Sequence, residues 1–184
     1  LPTWIELSLI DVCNRSCSFC PKSDDKVAPD TYQKMSKKLI DKLHNDLKKM
    51  NYRGSIALCG YGEPLLHKDI EYIVKKLSKV ASVEIVTNGD PLNHRIIKKL
   101  YNANASRILI SLYDGPQQIK KFKTMIKQSG VPEDFTILRD RWYTKSENFV
   151  SGANRGGFLG SRVVLPEDYV PNDQEEFMNE KQLE

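Results

Sequence analysis

The chain has 184 residues, of which 40% are apolar and 28% charged, an ordinary composition for a globular domain with a substantial core. Its apolar runs fall well short of the ~20 residues that a membrane-spanning helix needs, so no membrane partner is expected. Nothing at the start resembles a signal peptide, and we expect a cytoplasmic protein. The formal net charge of +4 comes from lysines on helix-like stretches without interleaved aromatic residues, so no nucleic-acid partner is expected either.

Three cysteines follow the first strand-like segment, WIELSLI, within the sequence DVCNRSCSFCP. Cys13, Cys17 and Cys20 are spaced C-x3-C-x2-C, and thiolates are the usual ligands of iron–sulfur clusters. A four-iron cluster normally takes four thiolates, so a cluster held by these three would leave one iron open to a substrate or cofactor. Cys59 ends a distant apolar segment, behaves there as a small hydrophobic residue, and is not expected to be a ligand.

Two structural interpretations of the cysteines compete with a cluster. A structural zinc site needs four ligands, usually two C-x2-C pairs or one such pair with two neighbouring histidines, whereas His44, His67 and His94 are isolated from one another. A disulfide is disfavoured by the odd number of closely spaced thiols and by a core that needs no covalent support. The spacing therefore favours a cluster.

The segments after the cysteines alternate between amphipathic helices and short apolar strands. Asp30 and Gln33 form a candidate capping box, which predicts a helix over about residues 31–50. Its apolar stripe at helical spacing comprises Met35, Leu39, Leu43, Leu47 and Met50.

The rest of the chain repeats this alternation. The strands SIALC, VEIVT, RILISL and FTILR are separated by helices over 68–80, after Asn93, and from Pro116 to Gly130. Continuous apolar strands between amphipathic helices indicate a parallel sheet covered by helices, either a doubly wound open sheet or all or part of a (β/α) barrel.

Polar residues gather where the predicted strands end. The cysteines follow the first strand, GYGEP follows the second, Asn88 ends the third, Ser111 lies late in the fourth, and Arg139 ends the fifth. Both architectures place their functional sites at the carboxyl ends of parallel strands, so we expect one site built from several loops.

The cysteine loop, with the aromatic Phe19 directly before its third cysteine, resembles the signature of the radical S-adenosylmethionine (radical SAM) enzymes. The resemblance covers residues 4–139. It implies an α/β fold that forms a partial (β/α)6 barrel, a [4Fe–4S] cluster on the three cysteines, and S-adenosylmethionine as second cofactor. It also implies that Phe19 lies near the adenine.

The segment Gly60-Tyr61-Gly62-Glu63 and the proline after it resemble the G-G-E-P loop of that family, with Tyr61 in place of the first glycine. The family loop holds the methionine amino group of the cofactor through main-chain oxygens and the glutamate. Glycines also let a backbone approach a ligand closely. Read alone, a GxG segment is more often an ordinary turn between a strand and a helix.

Three further positions acquire a role from the same resemblance. Asn88 and Ser111 fall where family members contact the ribose or the methionine part of the cofactor. Arg139 has a guanidinium suited to bidentate pairing with a carboxylate. Read alone, an Asn-Gly turn and a surface arginine would explain Asn88 and Arg139 equally well.

The resemblance implies an enzyme that reductively cleaves S-adenosylmethionine to a 5′-deoxyadenosyl radical, with a reductant such as flavodoxin or ferredoxin as electron donor. The radical would abstract hydrogen from a small-molecule or peptide substrate (a peptide, amino sugar or sugar-like compound), leading to dehydrogenation, epimerisation or crosslinking. No residue can be assigned as a catalytic acid, base or hydrogen donor. The cysteines alone would also suit a small iron–sulfur electron carrier or a zinc-stabilised binding module.

The end of the chain departs from the strand–helix alternation. A sixth strand is predicted near 147–151, and residues 1–160 form the predicted core domain. The glycine-rich segment FVSGANRGGFLG and the acidic residues 161–184 resemble the junction that leads to a SPASM or twitch domain, an extension with auxiliary clusters. We therefore expect the natural chain to continue past Glu184 into a domain with further cysteines. A flexible tail is the alternative for 161–184.

Overall fold

Five parallel strands form one sheet in the computed structural model, which describes residues 1–17 and 20–141. Each strand pairs with the next one along the chain, in the order β1-β2-β3-β4-β5. The register aligns Leu7 with Leu58, Leu58 with Ile85, and Ile85 with Ile108. The strands are β1 (Trp4–Leu7), β2 (Ser55–Leu58), β3 (Ser82–Thr87), β4 (Arg107–Leu112) and β5 (Thr136–Asp140).

This strand order decides between the two predicted architectures. A doubly wound sheet reverses its winding at a switch point, so that consecutive strands are separated somewhere in the sheet. The described strands never reverse, which is the winding of a (β/α) barrel. The predicted partial barrel of parallel strands is therefore confirmed, while the predicted sixth strand and residues 161–184 lie outside the described residues.

Four α-helices connect the strands and cover one face of the sheet. Alternate strand residues such as Val83, Ile85 and Ile110 are fully buried beneath helix residues such as Leu77 and Phe122. None of the described helices is long and apolar enough to cross a membrane. The helices are α1 (Lys37–Lys49), α2 (Ile70–Leu77), α3 (His94–Asn102) and α4 (Gln117–Ser129).

The predicted caps of α3 and α4 are confirmed. The Asn93 side chain accepts a hydrogen bond from the Ile96 N–H at 2.9 Å and begins α3. Pro116 directly precedes α4, which ends at Gly130 in the left-handed conformation. The ends of both helices are therefore where the local sequence predicts them.

The prediction for α1 was wrong at its start. The helix begins at Lys37, where Ser36 Oγ accepts from the Leu39 N–H at 3.2 Å. The two residues of the predicted capping box are used elsewhere, because Asp30 forms an ion pair with Lys22 and the Gln33 carbonyl accepts from the Asp11 N–H at 3.2 Å. The Thr31 N–H also donates to Asp11, at 2.8 Å. The segment 31–36 is therefore held against the cysteine loop.

The predicted apolar stripe of α1 also needs correction. Ile40, His44 and Leu47 form its buried face. Leu39 and Met50 are 46% and 48% exposed, since α1 turns a different face toward the sheet. The remaining two members of the stripe, Met35 before the helix and Leu43 within it, are partly buried against the core.

Candidate functional site

A cleft at the carboxyl ends of β2, β3 and β4 brings together residues from four separate segments. Cys13, Cys17 and Cys20 line it. The loop after β2 contributes Tyr61, Gly62 and Glu63, and the end of β3 contributes Thr87 and Asn88. Seven of the residues that the sequence proposed for the site thus share one cleft.

The three cysteines meet the requirements of a cluster in their donor chemistry. Cys17 and Cys20 are each 8% exposed, and no disulfide joins any of the four cysteines of the chain. The Cys20 N–H donates to the Cys17 carbonyl at 2.9 Å, and the Ser23 hydroxyl donates to the Cys20 carbonyl at 2.8 Å. Cys59 is half-buried and does not line the cleft.

No three His, Cys, Asp or Glu side chains within the described part of the chain are arranged as ligands of a single metal ion. A [4Fe–4S] cluster distributes its thiolates over separate irons, so its ligands surround a common space instead of meeting at one point. Three thiols around one cleft are compatible with that requirement.

The loop after β2 packs directly on the backbone that leads to Cys13. A Cβ at Gly62 would lie 1.9 Å from the Ile10 carbonyl oxygen, and the Glu63 N–H donates to the Val12 carbonyl at 2.9 Å. Gly60 has φ +120°, a conformation that L side chains rarely adopt. Tyr61 needs no such conformation, and its side chain is 42% exposed.

Glu63 is almost fully buried, at 2% exposed, and links this loop to the end of β3. Its Oε1 accepts from the Leu65 N–H at 3.0 Å and from the Thr87 hydroxyl at 2.6 Å. Its Oε2 accepts from the Asn88 N–H at 2.9 Å. The carboxylate therefore fixes the position of two loops that line the cleft.

Asn88 connects β3 to the cysteine loop. Its Nδ2 donates to Asn14 Oδ1 at 2.9 Å and lies 3.8 Å from the Cys13 sulfur. Its Oδ1 accepts from the Asp90 N–H at 2.9 Å. The side chain is thus oriented toward the first cysteine of the motif.

Three of the sequence-predicted positions lie elsewhere. Ser111 is buried on β4 and is the register partner of Arg139 on β5, which is exposed. Neither residue lines the cleft, and Gly60 is also outside its lining. Phe19 lies outside the described residues.

Arg15 is a site residue that the sequence reasoning missed. Its guanidinium lies in the cleft lining, 5.5 Å from the centre of the Tyr113 ring, and pairs with Asp90 and Asp114. Burial alone would lower the pKa of Arg15, but the hydrogen bonds to Asp114 and Asp90 raise it above its ordinary value. In the sequence, only its position between Cys13 and Cys17 pointed to a role for Arg15, because its carboxylate partners are 75 and 99 residues away.

The family model described as the Radical SAM superfamily matches residues 7–135, most of the chain and all of the described cleft. The chain belongs to the radical SAM superfamily. The predictions of this family and of its parallel α/β core are thereby confirmed.

Curated relatives and solved structures agree with this assignment. The chain is 29% identical over 159 residues to the S-adenosyl-L-methionine-dependent 2-deoxy-scyllo-inosamine dehydrogenase of Niallia circulans, covering 84% of this chain and 60% of that protein. It is 32% identical over 123 residues to the GTP 3′,8-cyclase of Aquifex aeolicus, covering 64% of this chain and 37% of the cyclase.

A crystal structure of BtrN in complex with AdoMet and 2-DOIA superposes with a TM-score of 0.67 at 26% identity, covering 77% of this chain and 57% of that one. The chain thus spans less than two thirds of the length of each of these relatives.

Proposed function

We propose that Cys13, Cys17 and Cys20 bind one [4Fe–4S] cluster, and that the chain reductively cleaves S-adenosylmethionine beside it to begin radical chemistry on a substrate. The observation that carries this proposal is the shared cleft, which the three cysteines line together with Gly62 and Asn88. Three thiolates leave one iron of a four-iron cluster without a protein ligand. The cofactor's amino and carboxylate groups suit that open position.

Cluster and cofactor, when bound, would supply the radical chemistry: one electron from the reduced cluster to the cofactor's sulfonium would break the bond between sulfur and C5′, giving methionine and a 5′-deoxyadenosyl radical that abstracts hydrogen from a substrate carbon. The protein's contribution is binding and orientation. Glu63 holds the ends of two loops in place through its buried carboxylate, and Gly62 allows the loop after β2 to lie against the cysteine loop. Both contacts fix the cleft before a ligand enters.

The remaining family positions would extend the proposed cofactor site beyond the cleft lining. The backbone at Gly60 and Tyr61 and the carboxylate of Glu63 would hold the methionine amino group. Asn88 and Ser111 would contact the ribose or the methionine part, and Arg139 would pair with a carboxylate. Phe19 would lie near the adenine.

For the net reaction we propose dehydrogenation of an amino sugar or sugar-like substrate, in which the substrate radical left by hydrogen abstraction loses a proton and gives one electron to an oxidised flavodoxin or ferredoxin. The support is the relative from Niallia circulans, a dehydrogenase by name, whose similarity covers 84% of this chain against 64% for the cyclase. A reduced flavodoxin or ferredoxin would supply the electron that cleaves the cofactor. An auxiliary cluster would require a longer chain.

The test uses the 184-residue chain after anaerobic reconstitution with iron and sulfide. Reduction with dithionite in the presence of S-adenosylmethionine should yield 5′-deoxyadenosine, while cofactor binding is measured separately by calorimetry. Cys17→Ala should abolish the cluster absorbance and the product. The matched control Cys59→Ala should retain both, because Cys59 lies outside the cleft lining.

Three results would contradict the proposal in different ways. A loaded, reduced protein that neither binds nor cleaves the cofactor would favour an electron carrier. A protein that takes up zinc but no cluster would favour a binding module. Loss of the cluster in Cys59→Ala would show that the ligand set includes a fourth thiolate.

A further inference from the structure

Arg15 lies within the cysteine loop and joins it to the ends of β3 and β4. Its Nε and Nη2 donate to the Asp90 carboxylate at 2.7 and 3.1 Å. Its Nη1 and Nη2 donate to the Asp114 carboxylate at 2.7 and 2.6 Å. The Arg15 side chain is 11% exposed, whereas those of Asp90 and Asp114 are 31% and 39% exposed, so these are partly buried, charge-assisted hydrogen bonds.

The two carboxylates are themselves held in orientation. Asp114 Oδ2 accepts from Gln118 Nε2 at 2.7 Å, and the Asp114 N–H donates back to Gln118 Oε1 at 3.0 Å. Asp90 Oδ2 accepts from Asn14 Nδ2 at 3.0 Å. Since Gln118 lies in α4, the guanidinium binds a pair of acceptors fixed by the helical layer and by the cysteine loop.

The cysteine loop depends on such contacts because residues 11–17 form neither helix nor strand. On one side, the Val12 carbonyl accepts from the Glu63 N–H, and on the other Arg15 binds the strand ends. Cys13 lies between these two attachments and Cys17 directly beyond the second. Arg15 therefore sets where the loop lies relative to β3 and β4.

Resting on the proposed function, we infer that Arg15 is a positioning residue whose two-carboxylate bridge determines how firmly the cysteine loop retains its cluster. Residues that orient metal ligands change metal affinity by about 10- to 100-fold when they are replaced. The planar guanidinium can bind two carboxylates at once, whereas a lysine offers one compact charge. Arg15→Lys thus keeps the charge and removes the bridge.

Arg107→Lys is the matched control. Arg107 also pairs with a carboxylate, that of the buried Glu84, but at the amino end of β4, far from the cysteines. Both variants are reconstituted anaerobically beside the wild type. Iron and sulfide per chain, the rate of cluster loss to a chelator, the EPR spectrum of the reduced cluster with and without S-adenosylmethionine, and the melting temperature of the metal-free chain are compared.

Arg15→Lys should lose its cluster about 10-fold faster than the wild type and show an altered EPR response to the cofactor. Arg107→Lys should lose it at the wild-type rate even if its melting temperature falls as far. Asp114→Asn, a milder change that removes one charge of the bridge, should fall between them and provides the test if Arg15→Lys does not fold.

Equal loss rates and spectra for wild type, Arg15→Lys and Asp114→Asn would overturn the inference while leaving the proposed function intact. A loss rate that follows melting temperature across all the variants, Arg107→Lys included, would overturn it as well, because the effect would then be one of general stability. A wild-type chain that takes up no cluster would instead overturn the proposed function, and the inference with it.

Discussion

Both ends of the parallel sheet hold an arginine paired with carboxylate, but the two pairs connect different parts of the chain. At the amino end, Arg107 and Glu84 are register partners on adjacent strands, 23 residues apart in sequence. At the carboxyl end, Arg15 reaches carboxylates 75 and 99 residues away. The amino-end pair therefore reinforces a strand pairing that the sheet already makes.

The surroundings of the two arginines differ in the same way. Around Arg107 the sheet edge carries Trp4 and three serines that begin or precede strands. Around Arg15 the polar side chains come from the cysteine loop, the loop after β2 and the ends of β3 and β4. Polar contacts between segments distant in sequence thus concentrate at the carboxyl end, the end that barrel enzymes use for chemistry.

The largest expected effect is that of Gly62→Ala at the carboxyl end. The added Cβ would lie 1.9 Å from the Ile10 carbonyl oxygen, so the backbone before Cys13 must move. We expect a loss of about 3 kcal/mol in the free energy of unfolding and loss of cluster uptake, measured by urea denaturation and iron analysis.

Gly130→Ala is the control for Gly62→Ala. Gly130 has φ +63° but open space around it, so alanine there should cost only about 1 kcal/mol and leave cluster uptake intact. Equal effects of the two substitutions would show that the loop after β2 does not need its close approach to the cysteine loop.

Glu63→Gln and Glu84→Gln compare a buried carboxylate at each end. The Glu63 carboxylate accepts hydrogen bonds from two N–H groups and a hydroxyl. In Glu63→Gln the NH2 group would face one of these donors, so we expect the free energy of unfolding to fall by about 2 to 3 kcal/mol. Glutamine at Glu84 can still accept from Arg107, which is 46% exposed, so the loss there should be about 1 kcal/mol.

The decisive measurement for this pair is cofactor affinity after correction for stability. Glu63→Gln should weaken binding of S-adenosylmethionine to the reconstituted chain, and Glu84→Gln should not. Weakened binding in both variants would indicate that the amino end of the sheet also contributes to the cofactor site.

Arg139→Ala tests whether the carboxyl-end site extends to β5. If Arg139 binds the cofactor carboxylate, its loss should weaken binding about 10-fold, equivalent to about 1.4 kcal/mol. Stability should change by less than about 0.5 kcal/mol, because the side chain is exposed. The control is Arg95→Ala, an exposed arginine on α3. Unchanged affinity in Arg139→Ala would confine the site to the described cleft.

The contrast between the ends also explains what the sequence could predict. The strands and most helices were predictable because each is an apolar segment bounded by local signals, such as Asn93 at the start of α3 and Gly130 at the end of α4. The start of α1 was not, because Asp30 and Thr31 bind Lys22 and Asp11 of the preceding loop. Tertiary contacts there outweigh a local capping pattern.

The same limit applies to the site. The cysteines were predictable because their spacing is local and their chemistry specific. Arg15 was not, because an arginine in a loop resembles a surface residue until the fold brings Asp90 and Asp114 beside it. The motif also did not indicate the buried hydrogen bonds that Glu63 accepts from residues at the end of β3.

The smallest effect is expected for a group of polar side chains that joins two helices and lies at neither end of the sheet. Asp41 on α1 accepts hydrogen bonds from the Lys76 ammonium at 2.8 Å and the Tyr72 hydroxyl at 2.5 Å, both on α2. The Lys76 hydrogen bond, with that of Tyr72, holds the pKa of Asp41 below its ordinary 3.8. These three side chains lie at the surface, so the stability that their contacts contribute should be small and reduced by salt.

Asp41→Asn should therefore lower the urea midpoint slightly at neutral pH. Because the folded pKa lies below the unfolded one, the ionised Asp41 stabilises the fold above the unfolded pKa, and this contribution is lost as pH falls through the folded value. The wild type and Asp41→Asn should thus converge in strongly acidic buffer, and cluster uptake should be equal in both at neutral pH. A difference that persists in acid would show that hydrogen-bond geometry, and not charge, links α1 to α2. Altered cluster uptake would show that contacts between α1 and α2 affect the cysteine site at the carboxyl end of the sheet.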